Sequence, residues 1–242
     1  MKLVYEGKSK RVYVKDNYTV VIEFKDDVTA MDGAVKAVAK DKGVMSAAVS
    51  AYLFNYLESR GIKTHFIEYD GYRSITAKKL EIIPVEVIVR NYAYGSLLKR
   101  VPLYKPLQKL DPPLLEFHFK DDSLHDPLIL PEDIIYTDLL KKNELETVIE
   151  ISLKANDILK ELFTSRNLVL VDIKFEFGKD NNGDILLADE ISGDTFRVLD
   201  ENGNHLDKEI FRKTKDVELL IKAYRGLCTR LGIEMKNLAT YG

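Results

Sequence analysis

Three charged residues at alternate positions, Asp172, Lys174 and Glu176, form the pattern in this chain that is best suited to catalysis. Apolar residues occupy the positions between them, which is typical of a strand with one polar face. Because strand side chains point to opposite faces with a period of two, the three charges should converge on one face. Carboxylates beside a lysine can hold a metal ion and offset the charge of a bound phosphate.

A second strand should bring another carboxylate to this face. Turn-forming residues follow the first strand, and 185–191 is predicted to be the return strand of a hairpin. Pairing of Lys179 with Asp184 would place Asp189 opposite Lys174 on the charged face. Two carboxylates and a lysine on one face suit a magnesium-bound polyphosphate.

The alternative is the solvated face of an amphipathic hairpin, with Lys174 pairing its neighbours. An apolar run, 168–171, leads into the first strand, and 185–188 is apolar on both faces, as in a buried strand. Acidic residues are almost never fully buried without a partner. A magnesium ion would be such a partner, so these details favour the metal site.

Composition limits the function classes. The 242 residues allow one large domain or two lobes. The net charge of −3 implies no broad basic surface, so nucleic acid is not an expected partner. A single cysteine, Cys228, excludes an internal disulfide, and four histidines without paired cysteines give little support for zinc. The charged N-terminus lacks a signal-peptide core and no apolar stretch approaches ~20 residues, so we expect a cytoplasmic protein without a membrane partner.

Hydrophobic patterning predicts the elements that position these residues. Strands are predicted at 3–6, 11–14, 19–24, 63–69, 72–79 and 81–89, and helices at 42–60, 145–163 and 216–231. Residues 101–137 contain six prolines and little periodicity, which favours a functional loop or lid.

Pro84 interrupts the last of the early strands. Proline inside a sheet belongs at an edge or a crossover, so we place a boundary there. The β-rich lobe would span 1–83, and the larger lobe with the substrate and metal site would span 84–242. The order of elements predicts a two-lobed α+β protein.

Lys8, Ser9 and Lys10 follow a glycine between two predicted strands. A glycine turn flanked by cations can lay backbone N–H groups and positive charge over phosphates. The segment is not a Walker A loop, because a strand rather than a helix follows it. Taken alone, it is better explained as an ordinary hairpin turn with solvated lysines.

Two arginines are candidates for a phosphate clamp. Arg90 ends an apolar strand and is followed by a glycine and Ser96, which together offer donors for a phosphate monoester. An arginine that pairs with a surface carboxylate is an equal alternative. Arg197 follows the predicted hairpin closely enough to line the same pocket as Arg90. The alternative is that Arg197 forms a surface salt bridge. The pair His125–Asp126 could orient a base, although such pairs more often stabilise a turn.

These segments together closely resemble the family of phosphoribosylaminoimidazole-succinocarboxamide synthase (SAICAR synthetase). The resemblance runs in order along nearly the whole chain. It rests on GKSKRVY near the start, VTAMDG at 28–33, IIPVEVIVRNYAYGS at 82–96, HDP at 125–127, LVDIKFEFG at 170–178 and ADEISGDTFR at 188–197. It implies a two-lobed fold with the nucleotide in the cleft between the lobes, and a homodimer.

The resemblance also implies roles for single residues. Contacts to ATP are implied for Lys8, Ser9, Lys10, Val12, Lys78, Leu80, Lys120, Glu176 and Asp189. Glu176 and Asp189 would also hold Mg²⁺. Contacts to the ribotide are implied for Arg90, Ser96, Asp126, Asp172, Lys174 and Arg197, with Asp172 and Lys174 as the catalytic pair. Asp32, Gly33 and the loop after them are the candidates for the aspartate site.

The implied reaction joins the carboxylate of a carboxyaminoimidazole ribotide to L-aspartate in purine biosynthesis, with ATP consumed. An acyl phosphate is the expected intermediate, because an unactivated carboxylate has no good leaving group. A small-molecule kinase of similar layout is one alternative. A nucleotide-binding module without turnover is another, although disrupted metal ligands would then be expected.

Overall fold

The computed structural model describes residues 1–30 and 33–235 of the chain. Its strands are β1 (Lys2–Glu6), β2 (Lys10–Val14), β3 (Thr19–Phe24), β4 (Asp27–Ala30), β5 (Val35–Val38), β6 (Phe66–Tyr69), β7 (Ser74–Lys78), β8 (Glu81–Tyr92), β9 (Lys109–Phe119), β10 (Leu128–Ile129), β11 (Val169–Lys179), β12 (Ile185–Ala188) and β13 (Phe196–Leu199). Its α-helices are α1 (Lys42–Glu58), α2 (Ser96–Arg100), α3 (Pro131–Tyr136), α4 (Lys142–Ser165), α5 (Glu209–Thr214) and α6 (Val217–Leu231).

The first part of the chain forms an antiparallel five-stranded sheet in the order β1-β2-β3-β7-β6. β3 alternates between buried and half-buried residues, as its sequence predicts for a strand with one face on the core. The long helix α1 packs against β3, β6 and β7 and also contacts α4 and α6. The three predicted N-terminal strands and the predicted helix are therefore present, with ends shifted by one or two residues.

A six-stranded sheet follows. Five of its strands lie in the order β10-β9-β8-β11-β12, and β13 pairs with residues 169–173 at the start of β11. β8 and β11 are the long central pair, joined from Asp172 opposite Arg90 to Lys179 opposite Glu81. β11 and β12 are buried almost throughout, because α4 covers β11, β12 and β8. The predicted burial of 185–188 is confirmed.

Two expectations about prolines are wrong. Pro84 does not interrupt β8: it lies in a bulge of β8, where the residues between Ile82 and Glu86 face only Phe177 of β11, so the regular ladder does not require its missing N–H. The proline-rich segment contains an 11-residue strand, β9, rather than an irregular lid. Pro112 and Pro113 fit there because the pairing of β9 with β8 shifts register beside them.

The chain passes from the five-stranded to the six-stranded sheet between β7 and β8. A contiguous core of buried apolar side chains draws on both sheets and on α1, α4 and α6. The division into lobes 1–83 and 84–242 stays a prediction. In the described ranges, no helix combines the length and apolar character that crossing a membrane requires.

Candidate active site

Two neighbouring cavities contain most of the predicted site residues. The first, here called the loop cavity, has a volume of about 390 Å³, and its polar lining includes Lys8, Ser9, Lys10, Lys120, Asp126, Lys174, Glu176 and Asp189. The second, here called the arginine cavity, has a volume of about 280 Å³ and is lined among others by Arg90, Ser96, Asp172, Lys174 and Arg197. Lys174 lines both, so the two cavities meet at the predicted charged strand face.

Lys174 and Glu176 lie on the same face of β11, as their spacing predicts. The Nζ of Lys174 is 2.6 Å from Oε1 of Glu176 and 2.6 Å from Oε1 of Glu86 on the neighbouring strand β8. Lys120 contacts the other oxygen of Glu176. Glu176 is only 3% exposed, so this carboxylate is buried between two lysines, and the solvated-face alternative does not describe it.

The predicted register of the hairpin is wrong by one residue. Lys179 pairs with Ile185 rather than with Asp184, and Glu176 pairs with Ala188. Continued as a strand, this register would turn the side chain of Asp189 to the opposite face. Instead β12 ends at Ala188, and Asp189 has a left-handed backbone with φ 62°, so its side chain still lines the loop cavity.

The loop that follows Gly7 lies against the end of the hairpin. Lys10 forms ion pairs with Asp189 and with Glu190, the latter at 3.1 Å. Ser9 Oγ donates to Glu190 Oε1 at 3.0 Å. A strand-turn-strand unit of the five-stranded sheet thus places cations directly on the carboxylates of the six-stranded sheet.

The charges of this cluster stabilise one another. Burial would lower the pKa of Lys10 and of Lys174, but the surrounding carboxylates outweigh it and hold each pKa above its ordinary range. Burial and the charge of Asp189 would raise the pKa of Glu176, yet Lys174 and Lys120 outweigh both, and the pKa of Glu176 is lowered. Burial likewise opposes ionisation of Asp189, but Lys10 keeps its pKa below the usual range. All four groups are therefore charged at neutral pH.

The donor set of Glu176 and Asp189 fits magnesium. Mg²⁺ takes oxygen ligands and is commonly held by one or two carboxylates, with substrate phosphates and water completing the octahedron. Within residues 1–30 and 33–235, no group of three or more His, Cys, Asp or Glu side chains is arranged to hold a metal ion. The pair would therefore need the phosphates of a nucleotide as further ligands.

Arg90, Arg197 and Asp172 meet in the arginine cavity because three strands align them. Asp172 on β11 pairs with Arg90 on β8 on one side and with Arg197 on β13 on the other. Asp172 accepts from Arg90 Nη1 at 2.9 Å and from Arg197 Nη1 at 2.8 Å. Arg90 Nη2 also donates to Ser96 Oγ at 3.0 Å and to Glu116 at 2.9 Å. Arg90 is 1% exposed, so its orientation is fixed.

Gly95 brings Ser96 to this cluster through a conformation that suits glycine. Its φ is 61° and its ψ is −128°, a region that other residues rarely adopt. A Cβ atom there would lie 2.9 Å from Nη2 of Arg197. The turn after β8 therefore packs directly on the guanidinium of Arg197.

Other predicted residues lie at the margin or outside these cavities. Lys8 lines the loop cavity and pairs with exposed Asp122 at 2.6 Å. Asp126 lines it too and accepts from the backbone N–H of Asp121 at 2.9 Å. Val12, Lys78 and Leu80 line neither cavity, so their adenine-side contacts stay predictions.

The predicted aspartate site lies at the turn between β4 and β5. Asp32 lies outside the described residues. Gly33 lies in the turn between β4 and β5 with φ 89°. The role of this pair stays a prediction.

Several polar residues of the site were not predicted from the sequence. They are Glu86, Glu116, Glu190, Asp194, Lys208 and Arg212. A signal for Glu86 was available, because it lies four residues before Arg90 in a strand and so on the same face. Glu116 was hidden by the prolines that made its segment look irregular.

Comparison with known proteins shows the family of the chain. A family model described as SAICAR synthetase matches residues 3–226. The chain belongs to the SAICAR synthetase family. The phosphoribosylaminoimidazole-succinocarboxamide synthase of Caldivirga maquilingensis is 54% identical over 236 residues, which cover 98% of both chains. The enzyme of the same name from Pyrobaculum aerophilum is 51% identical and covers 94% of this chain and 95% of its own.

Solved structures support the fold assignment. A SAICAR synthetase (Type-2) in complex with ADP has a TM-score of 0.92 and 43% identity, over 98% of this chain and 100% of the other. The predicted fold class and the resemblance are confirmed. So is the predicted enzyme class, an ATP-dependent carbon–nitrogen ligase (EC 6.3.2.6) that acts in purine biosynthesis. The kinase and the non-catalytic module are not favoured.

Proposed function

We propose that this protein joins the carboxylate of 5-amino-1-(5-phospho-D-ribosyl)imidazole-4-carboxylate to the amine of L-aspartate, with conversion of ATP to ADP and phosphate. The observation that carries the proposal is the junction of the two cavities at Lys174 and Glu86. One cavity offers arginines for a phosphate monoester, and the other offers a lysine-bearing loop and two carboxylates. A substrate carboxylate at this junction would lie between the phosphate-binding groups of the two cavities.

The arginine cavity is the proposed ribotide site. Arg90, Ser96 and Arg197 would bind the ribotide phosphate, because the planar guanidinium matches phosphate oxygens with paired donors. Asp172 orients both arginines at 2.8–2.9 Å. Asp172 and Lys174 would contact the aminoimidazole and its carboxylate, and Asp126 would do so from the loop cavity, which it lines.

The loop cavity is the proposed nucleotide site. Lys8, Ser9, Lys10 and Lys120 would contact ATP, with Val12, Lys78 and Leu80 on the adenine side. Glu176 and Asp189 would hold Mg²⁺, which when bound neutralises charge on phosphoryl oxygens. The ADP complex of the related Type-2 synthetase supports nucleotide use here.

The chemistry needs an activated carboxylate, because direct attack by an amine would have to expel oxide. One carboxylate oxygen of the ribotide would attack the γ-phosphorus of ATP, and ADP would leave. The aspartate amine would then attack the carbonyl carbon of this acyl phosphate, lose a proton and displace inorganic phosphate. Lys174, charged and fixed between Glu86 and Glu176, would orient the carboxylate and offset its charge.

The test is ADP release measured with the purified protein, Mg²⁺, ATP and the ribotide, with and without L-aspartate. We expect sustained ADP release only when L-aspartate is present, with one succinocarboxamide product formed per ADP. ADP release at an equal rate without L-aspartate, with a stable phosphate ester as product, would identify a kinase instead.

We also propose that the chain forms a homodimer and acts in the cytoplasm. Both proposals rest on the family resemblance. Light scattering after size-exclusion chromatography tests the first: a mass near twice 27.7 kDa is expected, and a mass near 27.7 kDa at all concentrations would contradict it.

A further inference from the structure

Three polar residues beside the arginine cavity have no part in the nucleotide and ribotide sites described above. They are Tyr94, which is half-buried, and His205 and Asp207, which are buried. A buried polar network that is fully hydrogen-bonded rigidifies its surroundings. The surroundings of these three residues include Arg197, so the network could act on the ribotide site through this arginine.

The turn after β13 brings His205 and Asp207 to the strand that carries Arg197. The chain returns along β13, so that His205 lies opposite Leu199. Oδ2 of Asp207 accepts from the backbone N–H of Val198 at 2.9 Å. Because Val198 directly follows Arg197, the two polar side chains are fixed beside this arginine.

A hydrogen-bonded chain runs from Asp207 through His205 to Tyr94. The Nδ1 of His205 is 3.0 Å from Oδ2 of Asp207, and its Nε2 is 3.0 Å from the hydroxyl of Tyr94. A carboxylate can only accept hydrogen bonds, so Nδ1 of His205 is the donor. In the neutral ring Nε2 is then an acceptor, and the hydroxyl of Tyr94 donates to it. Asp207 thus sets the tautomer that holds the tyrosine.

The ring of Tyr94 lies against the guanidinium of Arg197. Its centroid is 5.3 Å from Cζ of Arg197, which is within the range of a cation–π contact. The exposed Lys213 of α5 lies 5.4 Å from the same centroid. Tyr94 also immediately precedes Gly95, whose backbone packs on Nη2 of Arg197. A shift of Tyr94 would therefore change the surface on which this guanidinium rests.

Asp207 is also linked to Arg197 by a second route. Its Oδ1 accepts from the backbone N–H of Glu209 at 2.7 Å, at the first residue of α5. Oε2 of Glu209 in turn accepts from Nε of Arg197 at 3.0 Å. Asp172 and Glu209 hold the nitrogen edge of the guanidinium, and Tyr94 covers one face.

We propose that Tyr94, His205 and Asp207 are positioning residues for the ribotide, which act by holding Arg197 in the orientation that meets the ribotide phosphate. An arginine that is already fixed loses less conformational freedom when the phosphate binds. This proposal rests on the proposed function, because it takes Arg197 as a phosphate contact. A network that served only folding would change the stability of the protein and leave its affinity for the ribotide unchanged.

The test is a double-mutant cycle with Tyr94→Phe and Arg197→Gln. Tyr94→Phe keeps the ring and removes only the hydroxyl that binds His205. The Kd of the ribotide is measured by titration calorimetry with Mg²⁺ and ADP present, so that no turnover occurs. We expect Tyr94→Phe to raise this Kd roughly two- to tenfold, which corresponds to the net contribution of one hydrogen bond. In the Arg197→Gln background the same change should raise the Kd less than about 1.5-fold.

Two further variants separate positioning from folding. The amide of His205→Asn takes the place of Nδ1 and still donates to Asp207, but it does not extend to Tyr94. His205→Asn should therefore resemble Tyr94→Phe, and in both variants kcat and the KM of ATP should change less than about twofold. Tyr136→Phe is the control, because Tyr136 is a tyrosine of α3 that is 84% exposed, and its Kd for the ribotide should equal that of wild type.

Two results would overturn the proposal. One is an unchanged Kd of the ribotide in Tyr94→Phe and His205→Asn. The other is an equal rise with and without Arg197, which would show that Tyr94 acts independently of this arginine. Failure of the proposed function gives a different result: the wild-type protein would bind no ribotide, or Arg197→Gln would bind it as tightly as wild type does.

Discussion

Two buried carboxylates, Glu176 and Asp189, determine what the loop cavity can bind. Glu176 is in contact with Lys174 and Lys120, and Asp189 with Lys10. A nucleotide phosphate would compete for these lysines, and the freed carboxylate oxygens could then ligate Mg²⁺. These lysines and carboxylates therefore neutralise one another when no ligand is bound. The same groups can bind the nucleotide and its metal ion without a change of fold.

Removing either carboxylate should prevent turnover. Even residues that only support a metal ligand commonly cost 10–100-fold in affinity or activity, so Glu176→Gln and Asp189→Asn should each lower kcat/KM for ATP by at least about 100-fold. Glu146→Gln is the control, because Glu146 is an exposed residue of α4 and should leave the rate unchanged. Near-normal rates in both site variants, measured over a range of Mg²⁺ concentrations, would refute the metal assignment.

At the scale of elements, β11 is the strand on which the site depends. It pairs with β8, β12 and β13. Its own charged residues therefore meet those of β8 and β13, and also Asp189, which follows the uncharged strand β12. The turn after β8 completes the arginine cavity through Gly95, whose backbone conformation and lack of a side chain both serve the close approach to Arg197.

Gly95→Ala should therefore weaken ribotide binding. The added methyl group would displace Arg197, and loss of a hydrogen bond to a charged group costs about 1.5–3 kcal/mol, which predicts a rise of roughly ten- to 150-fold in the KM of the ribotide. Gly61→Ala is the matched control: Gly61 also has a positive φ, 83°, but nothing lies within 4 Å of an added Cβ. The control should lose stability and keep the KM. Equal ribotide KM values for wild type and Gly95→Ala would contradict this role of the turn.

The segment before β6 joins the two sheets through His65. Its N–H donates to the carbonyl of Leu187 on β12, its carbonyl accepts from Lys78 on β7, and its ring Nε2 lies 3.1 Å from the carbonyl oxygen of Asp189. Burial lowers the pKa of His65 from 6.5 to about 4, although Asp189 opposes the shift. The folded protein therefore holds this ring neutral at pH values where the unfolded chain would protonate it.

Stability should fall accordingly as the pH drops from 6.5 to 4. The unfolded chain binds more protons in this window, so the free energy of unfolding contributed by His65 is fully present above pH 6.5 and is lost towards pH 4, at up to about 1.4 kcal/mol per pH unit. Urea unfolding at pH 7, 6 and 5 should show a shallower pH dependence for His65→Gln than for wild type. Identical slopes for the two proteins would exclude His65 as the titrating group.

The elements show how far the sequence could predict this site. Alternation in β11 placed Lys174 and Glu176 correctly, since a period of two is a local property. Asp189 lines the predicted cavity, but the register that predicted this was wrong by one residue. Hairpin register depends on turn geometry, and the sequence pattern does not reveal the positive φ that redirects Asp189. β9 was missed because its prolines are tolerated only where its pairing shifts register, which is a property of the whole sheet.

At the scale of the molecule, the two sheets bring distant segments to one junction. Lys10 and Glu190 are 180 residues apart in the chain, and Lys42 and Asp194 are 152 apart. The arrangement separates the arginine cavity, the proposed ribotide site, from the loop cavity, the proposed nucleotide site, and leaves one region that both cavities share. Phosphoryl transfer to a carboxylate in that region is the central step of the proposed mechanism.

Transfer of oxygen from the ribotide to phosphate tests this step most directly. The ribotide is labelled with ¹⁸O in both carboxylate oxygens and converted with ATP and L-aspartate, and the inorganic phosphate is analysed by mass spectrometry. If the carboxylate attacks the γ-phosphorus and the amine then displaces phosphate, each phosphate carries one ¹⁸O and the new amide retains the other. Phosphate without ¹⁸O, formed together with the product, would contradict the acyl-phosphate mechanism.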